Sequence, residues 1–168
     1  MLASSTSALG IIFPNSYDAL VPELSNVRLM ASIPFASRYR MIDFILSSMV
    51  NCGISNVTVL VRNNYFSLMD HLGNCDEWDL KLGDGVRFLP PYATGHTGAY
   101  RVKLEALQTA LPVLERNDSD YVVLADTTVL CTINFLEVLE KHVESGCDIT
   151  VVSKAGKCDG VKPQQLAM

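Results

Sequence analysis

Tyr121-Val122-Val123-Leu124-Ala125-Asp126 decides the fold of this 168-residue chain. A continuous apolar run with β-branched residues and no polar alternation reads as a strand. Strands of that kind belong to parallel sheets covered by crossover helices. Asp126 then stands at the strand's carboxyl end, outside which open α/β sheets bind their ligands.

Working outward, Ala8 to Phe13 has the same character, is stopped by Pro14, and leads into a polar loop through Asn15, Ser16 and Asp18. Met41, Ile42, Ile45, Met49 and Cys52 recur at helical spacing, with Gly53 placed for a left-handed cap. Val57 to Val61 predicts a further buried strand and Ser67 to Leu72 a helix ended by Gly73. Residues 73–101 hold Gly83, Gly85, Gly95, Gly98 and the pair Pro90-Pro91 around one short strand, Val86 to Leu89. A loop that long in a compact domain is functional or mobile.

Lys103 to Leu114 predicts an amphipathic helix frayed near its end by Pro112. Asn134 and Glu137 have the spacing of a capping box, opening a helix that runs to Gly146, and Asp148 to Ser153 predicts a fifth strand. The alternation implies an α/β fold: a doubly wound, mostly parallel sheet with right-handed crossovers. Residues 1–154 form the domain, and the tail 155–168, which lacks any apolar period, is expected to be disordered.

Composition excludes other classes. Thirteen Lys and Arg against eighteen Asp and Glu give a net charge of −5, and 18% charged residues fall below the usual share of about 25%. A chain of this length buries roughly 68–70% of its unfolded surface, so disorder throughout is excluded. The first basic residue is Arg28, and no Lys/Arg cluster exists to neutralise a phosphate backbone, which argues against nucleic acid as a partner. The longest apolar runs, such as Leu9 to Phe13, fall far short of the ~18–20 residues a membrane span needs. No charged residue precedes the first of them as in a signal peptide, so a cytoplasmic location is expected. Cys52, Cys75, Cys131, Cys147 and Cys158 include no C-x-x-C pair and are expected to be reduced, mostly as small core residues.

The run Pro34-Phe35-Ala36-Ser37-Arg38-Tyr39-Arg40-Met41-Ile42-Asp43-Phe44, followed by Ser47-Ser48-Met49-Val50-Asn51-Cys52-Gly53-Ile54, resembles the sugar-nucleotide pyrophosphorylases, ADP-glucose pyrophosphorylase (glucose-1-phosphate adenylyltransferase) in particular. Asn64 to Leu72, Glu77-Trp78-Asp79-Leu80 and Tyr121 to Asp126 extend the likeness to about Lys154. Asn64 to Leu72 and Glu77 to Leu80 are most similar to the regulatory subunit that some bacteria pair with the catalytic one for glycogen synthesis. The resemblance implies a nucleotidyltransferase fold of Rossmann-like type. It also implies a sugar-phosphate region with a second metal carboxylate and a C-terminal left-handed β-helix. Both are absent from the sequence, which reads as the N-terminal portion of a longer chain, expected to self-associate through apolar surface left uncovered.

The departures bear on function. Catalytic members carry a glycine-rich turn and Thr-Arg-Leu after the first strand; here Pro14, Asn15, Ser16, Tyr17 and Asp18 form a vestigial nucleotide loop, with Ala19 at the Arg position. Proline offers no amide donor, and Asp18 repels phosphate. The family's Arg-x-Lys-Pro becomes Arg28-Leu29-Met30-Ala31, replacing the Lys by Met30. Val102, Lys103 and Leu104 stand at Gly-Thr-Ala, where their side chains intrude on the adenine space. Asp126 alone survives, as a vestigial metal carboxylate. Loss of one electrostatic stabiliser typically costs ~10²–10³ in rate, and several together leave no measurable turnover.

Asp126 from its position alone reads as a turn former sooner than as a metal ligand. Arg28, Arg38 and Arg40 are candidate anion binders, the bland account for the latter two being a salt bridge to Asp43 or another acid. His71, with Asp70 and Cys75 near it, reads as a surface histidine rather than a metal ligand. Tyr65 and Phe66 are expected in the core, and Asp70, Trp78 and Asp79 at a subunit surface. The role implied is a regulatory, non-catalytic subunit that oligomerises with the catalytic subunit of glucose-1-phosphate adenylyltransferase. Catalytic members use Mg²⁺; no cofactor is expected here. The alternatives are a divergent active sugar-phosphate nucleotidyltransferase and a module that senses a phosphorylated metabolite.

Overall fold

The computed structural model describes residues 7–14, 22–80, 85–90 and 103–154. The chain divides into two compact units, residues 1–134 and 135–168.

The first unit is built on four parallel strands. β1 (Ala8–Phe13) pairs on one side with β4 (Asn56–Leu60) and on the other with β6 (Tyr121–Asp126), while β5 (Val86–Leu89) extends the sheet beyond β4. The spatial order β5-β4-β1-β6 runs outward from β1 and then returns to its other side. The connection direction therefore reverses between β1 and β6, and the register sets Phe13 opposite Asp126 at that point.

Alternate residues of β1 face different helices. Leu9, Ile11 and Phe13 pack with Leu60 and with Ala106 and Ala110 from the α4 to α5 stretch (Lys103–Thr109 and Leu111–Leu114). On the other face, a Cβ placed on Gly10 would lie 2.8 Å from Met49 Sδ of α2 (Met41–Asn51). Helices cover both faces, as doubly wound sheets require. α2 buries Ile42, Ile45, Leu46 and Met49, the stripe expected from its period. It ends as its glycine implied: Gly53 has φ +79°, the Ile54 N–H donates to Met49 O at 3.0 Å and the Gly53 N–H to Val50 O at 2.9 Å.

Between β1 and α2 lie a short helix α1 (Pro22–Ser25), a 3₁₀ turn (Met30–Ser32) and a small antiparallel hairpin, β2 (Pro34–Phe35) and β3 (Tyr39–Arg40). α3 (Phe66–Leu72) follows β4 and closes at Gly73, whose N–H donates to Met69 O at 2.9 Å. The 103–114 helix breaks at Ala110, earlier than expected. Pro112 has no N–H to return to Gln108, so the chain restarts as α5 with Pro112 in its first turn. Phe66, expected in the core, is 82% exposed, because it opens α3 on the face away from Leu68 and Leu72. Of the four described cysteines only Cys75 is buried; Cys131 and Cys147 are exposed, which corrects the core assignment.

The second unit holds α6 (Phe135–Ser145), which starts directly after Asn134 and ends at Gly146 with φ +63°. The expected strand over 148–153 does not form: those residues have no regular structure, and Ile149 is 81% exposed. β-branched composition favours a pleated surface only where a neighbouring strand supplies the ladder, and no described strand pairs with this segment. The tail 155–168 lies outside the described residues. No described helix is long and apolar enough to cross a membrane.

Candidate functional site

The site follows from the switch point. Phe13 and Pro14 end β1, both buried, and the Pro14 carbonyl accepts the Ala31 N–H at 3.0 Å. That bond brings the Met30–Ser32 turn against the strand end. The turn is pinned by Ser32, whose N–H and Oγ both donate to Leu29 O at 2.9 Å. Met30 is 9% exposed, so its uncharged thioether is packed against the strand end.

Across the reversal, Asp126 is also 9% exposed. Its Oδ1 accepts from the Thr128 N–H at 2.9 Å and from Thr128 Oγ1 at 2.7 Å, an Asx-type turn that directs the carboxylate back over the strand end. Its Oδ2 lies 3.0 Å from Lys103 Nζ, at the first described turn of α4. The same ammonium sits 5.6 Å from the Phe13 ring centroid. Lys103, which from sequence enters as a side chain filling adenine space, thus lands on Asp126. Periodicity gave no sign of this, since it reports faces and not which ends of two elements converge.

Mg²⁺ does not fit these residues as they stand. Asp126 is one carboxylate, with Oδ1 doubly bonded to Thr128 and Oδ2 against an ammonium, and no three His, Cys, Asp or Glu side chains group as metal ligands among the described residues.

The arginines are not equivalent. Arg40 Nη1 donates to Ser67 O and, at 2.8 Å, to Ser67 Oγ, so its guanidinium is committed between α2 and α3. Asp43 accepts from the Arg40 backbone N–H at 2.9 Å rather than from its guanidinium. Arg38 is exposed on the hairpin, and Arg28 is half-buried before the 30–32 turn. Asn15, Ser16, Tyr17, Asp18, Ala19 and Val102 lie outside the described residues.

A second feature lies where Trp78 and Asp79 are expected at a surface, though its concave shape has no local sequence pattern. An open groove of about 500 Å³ runs beside α2, lined by Tyr39, Phe44, Ser47, Asp76, Trp78 and Asp79 among others. Trp78 Nε1 donates to Ser47 Oγ at 3.0 Å, and its ring meets His71 edge-on at 6.4 Å. His71 is not a surface histidine: its side chain is 15% exposed, with Nε2 2.7 Å from Asp43 Oδ1. The exposed acids around Trp78 were the available signal for this surface.

Comparisons with known proteins place the chain. The nucleotidyl transferase profile matches residues 20–159. The glycogen biosynthesis protein GlgD of Geobacillus stearothermophilus is 40% identical over 151 residues, covering 89% of this chain and 44% of that protein. A glucose-1-phosphate adenylyltransferase of Hydrogenovibrio crunogenus is 29% identical, over 85% of this chain and 34% of its own length. The chain spans less than half the length of either relative. A Bacillus anthracis structure described as a glucose-1-phosphate thymidylyltransferase superposes with a TM-score of 0.63 at 12% identity, over 82% of this chain and 51% of that one, a likeness of fold.

Proposed function

The chain belongs to the nucleotidyl transferase family, and from that premise we propose that it serves glycogen biosynthesis as a non-catalytic subunit, binding and tuning the catalytic subunit of glucose-1-phosphate adenylyltransferase in the cytoplasm. The observation that carries this reading is that, over nearly the same share of the chain, similarity is greater to a glycogen biosynthesis protein than to an adenylyltransferase. The crevice supports it. A buried thioether at Met30 offers no charge to a leaving pyrophosphate, and Pro14 offers no amide to a phosphate.

The test is pyrophosphate release from ATP and glucose 1-phosphate by the full-length protein, alone and mixed with its catalytic partner. No turnover alone and a mixed rate above that of the catalytic subunit are expected. Turnover by the protein alone makes it a divergent enzyme instead; a mixed rate equal to that of the catalytic subunit removes the tuning role.

A further inference from the structure

We propose that Lys103 is a built-in cation for Asp126, its ammonium occupying the place of a divalent metal ion at the end of β6, so that the crevice neutralises itself and excludes Mg²⁺. The inference deepens the non-catalytic reading and rests on it for the identity of the crevice.

Four observations converge. The Asp126 side chain is 7% exposed, and a carboxylate so far from water needs a compensating charge. Lys103 Nζ, at 3.0 Å, supplies it to Oδ2. Oδ1 is already satisfied by two Thr128 donors, so Oδ2 is the oxygen on which a metal would have to land. Phe13, opposite Asp126 in the β1–β6 register, offers its ring to the same ammonium at 5.6 Å. The cation is therefore held between a carboxylate and a π-face on two neighbouring strands.

The chemistry makes the two cations exclusive. Mg²⁺ approaches oxygen to about 2.0–2.1 Å and needs octahedral space for its waters. An ammonium 3.0 Å from that oxygen repels the ion at short range, in a site where little water screens the repulsion. A cation tethered to the chain is also present at every free-metal concentration. Because Lys103 reaches from α4 to β6, the pair further ties the crossover helix to the strand at the reversal, and a nucleotide–metal complex would have to break it to enter.

The experiment uses Mn²⁺ alone as a paramagnetic probe, read as broadening of the Thr127 and Thr128 amide resonances. The wild-type chain should show no broadening that depends on Asp126. Lys103→Gln, which is one bond shorter and neutral, should show it at Mn²⁺ concentrations at least about tenfold below any that broaden the wild type. Lys103→Thr should behave likewise, and adding Asp126→Asn to either should abolish it. Wild-type broadening that disappears in Asp126→Asn overturns the proposal without use of any variant at Lys103. A folded Lys103→Gln chain that gains nothing overturns it too. Neither result touches turnover or partner binding, so failure here is distinct from failure of the proposed function.

Discussion

His71 Nε2 lies 2.7 Å from Asp43 Oδ1, so one carboxylate ties the start of α2 to the last turn of α3. Its Oδ2 accepts the Arg40 N–H at 2.9 Å, closing the N-terminus of α2. Asp43→Ala removes both bonds from a 7% exposed position and should lower the unfolding free energy by about 2–4 kcal/mol. His71→Ala removes one and should cost less. Urea titrations of the two variants decide the point; an Asp43→Ala chain as stable as wild type would show that the carboxylate holds neither helix.

Gly10 is a packing requirement. A Cβ there meets Met49 Sδ at 2.8 Å, Val57 Cγ2 at 3.3 Å and Ile54 Cγ2 at 3.4 Å. Gly10→Ala should cost about 1–3 kcal/mol, since Met49 is fully buried and must shift within a filled core. In a Met49→Ala background the same substitution should cost less. A double-mutant cycle with no coupling would move the strain elsewhere.

Much of this was legible in the sequence, for a physical reason. β1 appears at the ends expected because it is an apolar run stopped by Pro14, β5 because its short run is bounded by Gly85 and Pro90, and α2 because Ile42, Ile45, Leu46 and Met49 share one face. The β2–β3 hairpin was not legible. Its strands are two residues long and its tip uses Ala36 at φ +49° and Ser37 at φ +71°, residue types that signal no left-handed turn. The 148–153 segment misled in the opposite direction, since composition reports that a residue suits a strand, not that a partner strand is there. The Lys103–Asp126 pair joins elements separated by all of α5 and the turn before β6, and no local pattern encodes such a meeting.

Thr58 carries a cost inside β4. It is 0% exposed and its Oγ1 has no hydrogen-bond partner among the described residues. An unpaired buried hydroxyl costs about 1–3 kcal/mol, and valine has the same shape without it. Thr58→Val should therefore raise the denaturation midpoint by an amount equivalent to about 1 kcal/mol. A lower midpoint would mean that the hydroxyl is satisfied.

Cys75 should report folding through its thiol. Burial, and then the neighbouring Asp76 carboxylate, push its pKa above the ordinary 9.0. The native state therefore holds the proton more tightly than the unfolded chain. The resulting stability is fully present below about pH 9 and is lost as pH rises through the folded value. Iodoacetamide at pH 8 should alkylate exposed Cys131 and Cys147 well before Cys75, with urea removing the difference. Equal native rates at all three would contradict the burial.

Nucleotide affinity is the most direct readout of the crevice. On the non-catalytic reading proposed above, Mg²⁺-ATP should bind the wild-type protein with no micromolar affinity, because Pro14 offers no amide, Ala19 and Met30 offer no cation, and Asp126 is paired with Lys103. The converse changes are Ala19→Arg, Met30→Lys, Val102→Gly and Lys103→Thr, with a glycine-rich loop in place of residues 14–18, in the full-length protein. Met30 is 9% exposed, so a lysine there buries an unpaired charge and should by itself lower stability. Triphosphate would supply the missing counter-charge. Mg²⁺-ATP should consequently raise the melting temperature of the combined variant and leave wild type unmoved, with a gain of about 2.7 kcal/mol at a ligand concentration one hundred times Kd. A micromolar Kd for wild type by calorimetry, or a folded variant indifferent to nucleotide, would sink this account of how the crevice lost its ligand.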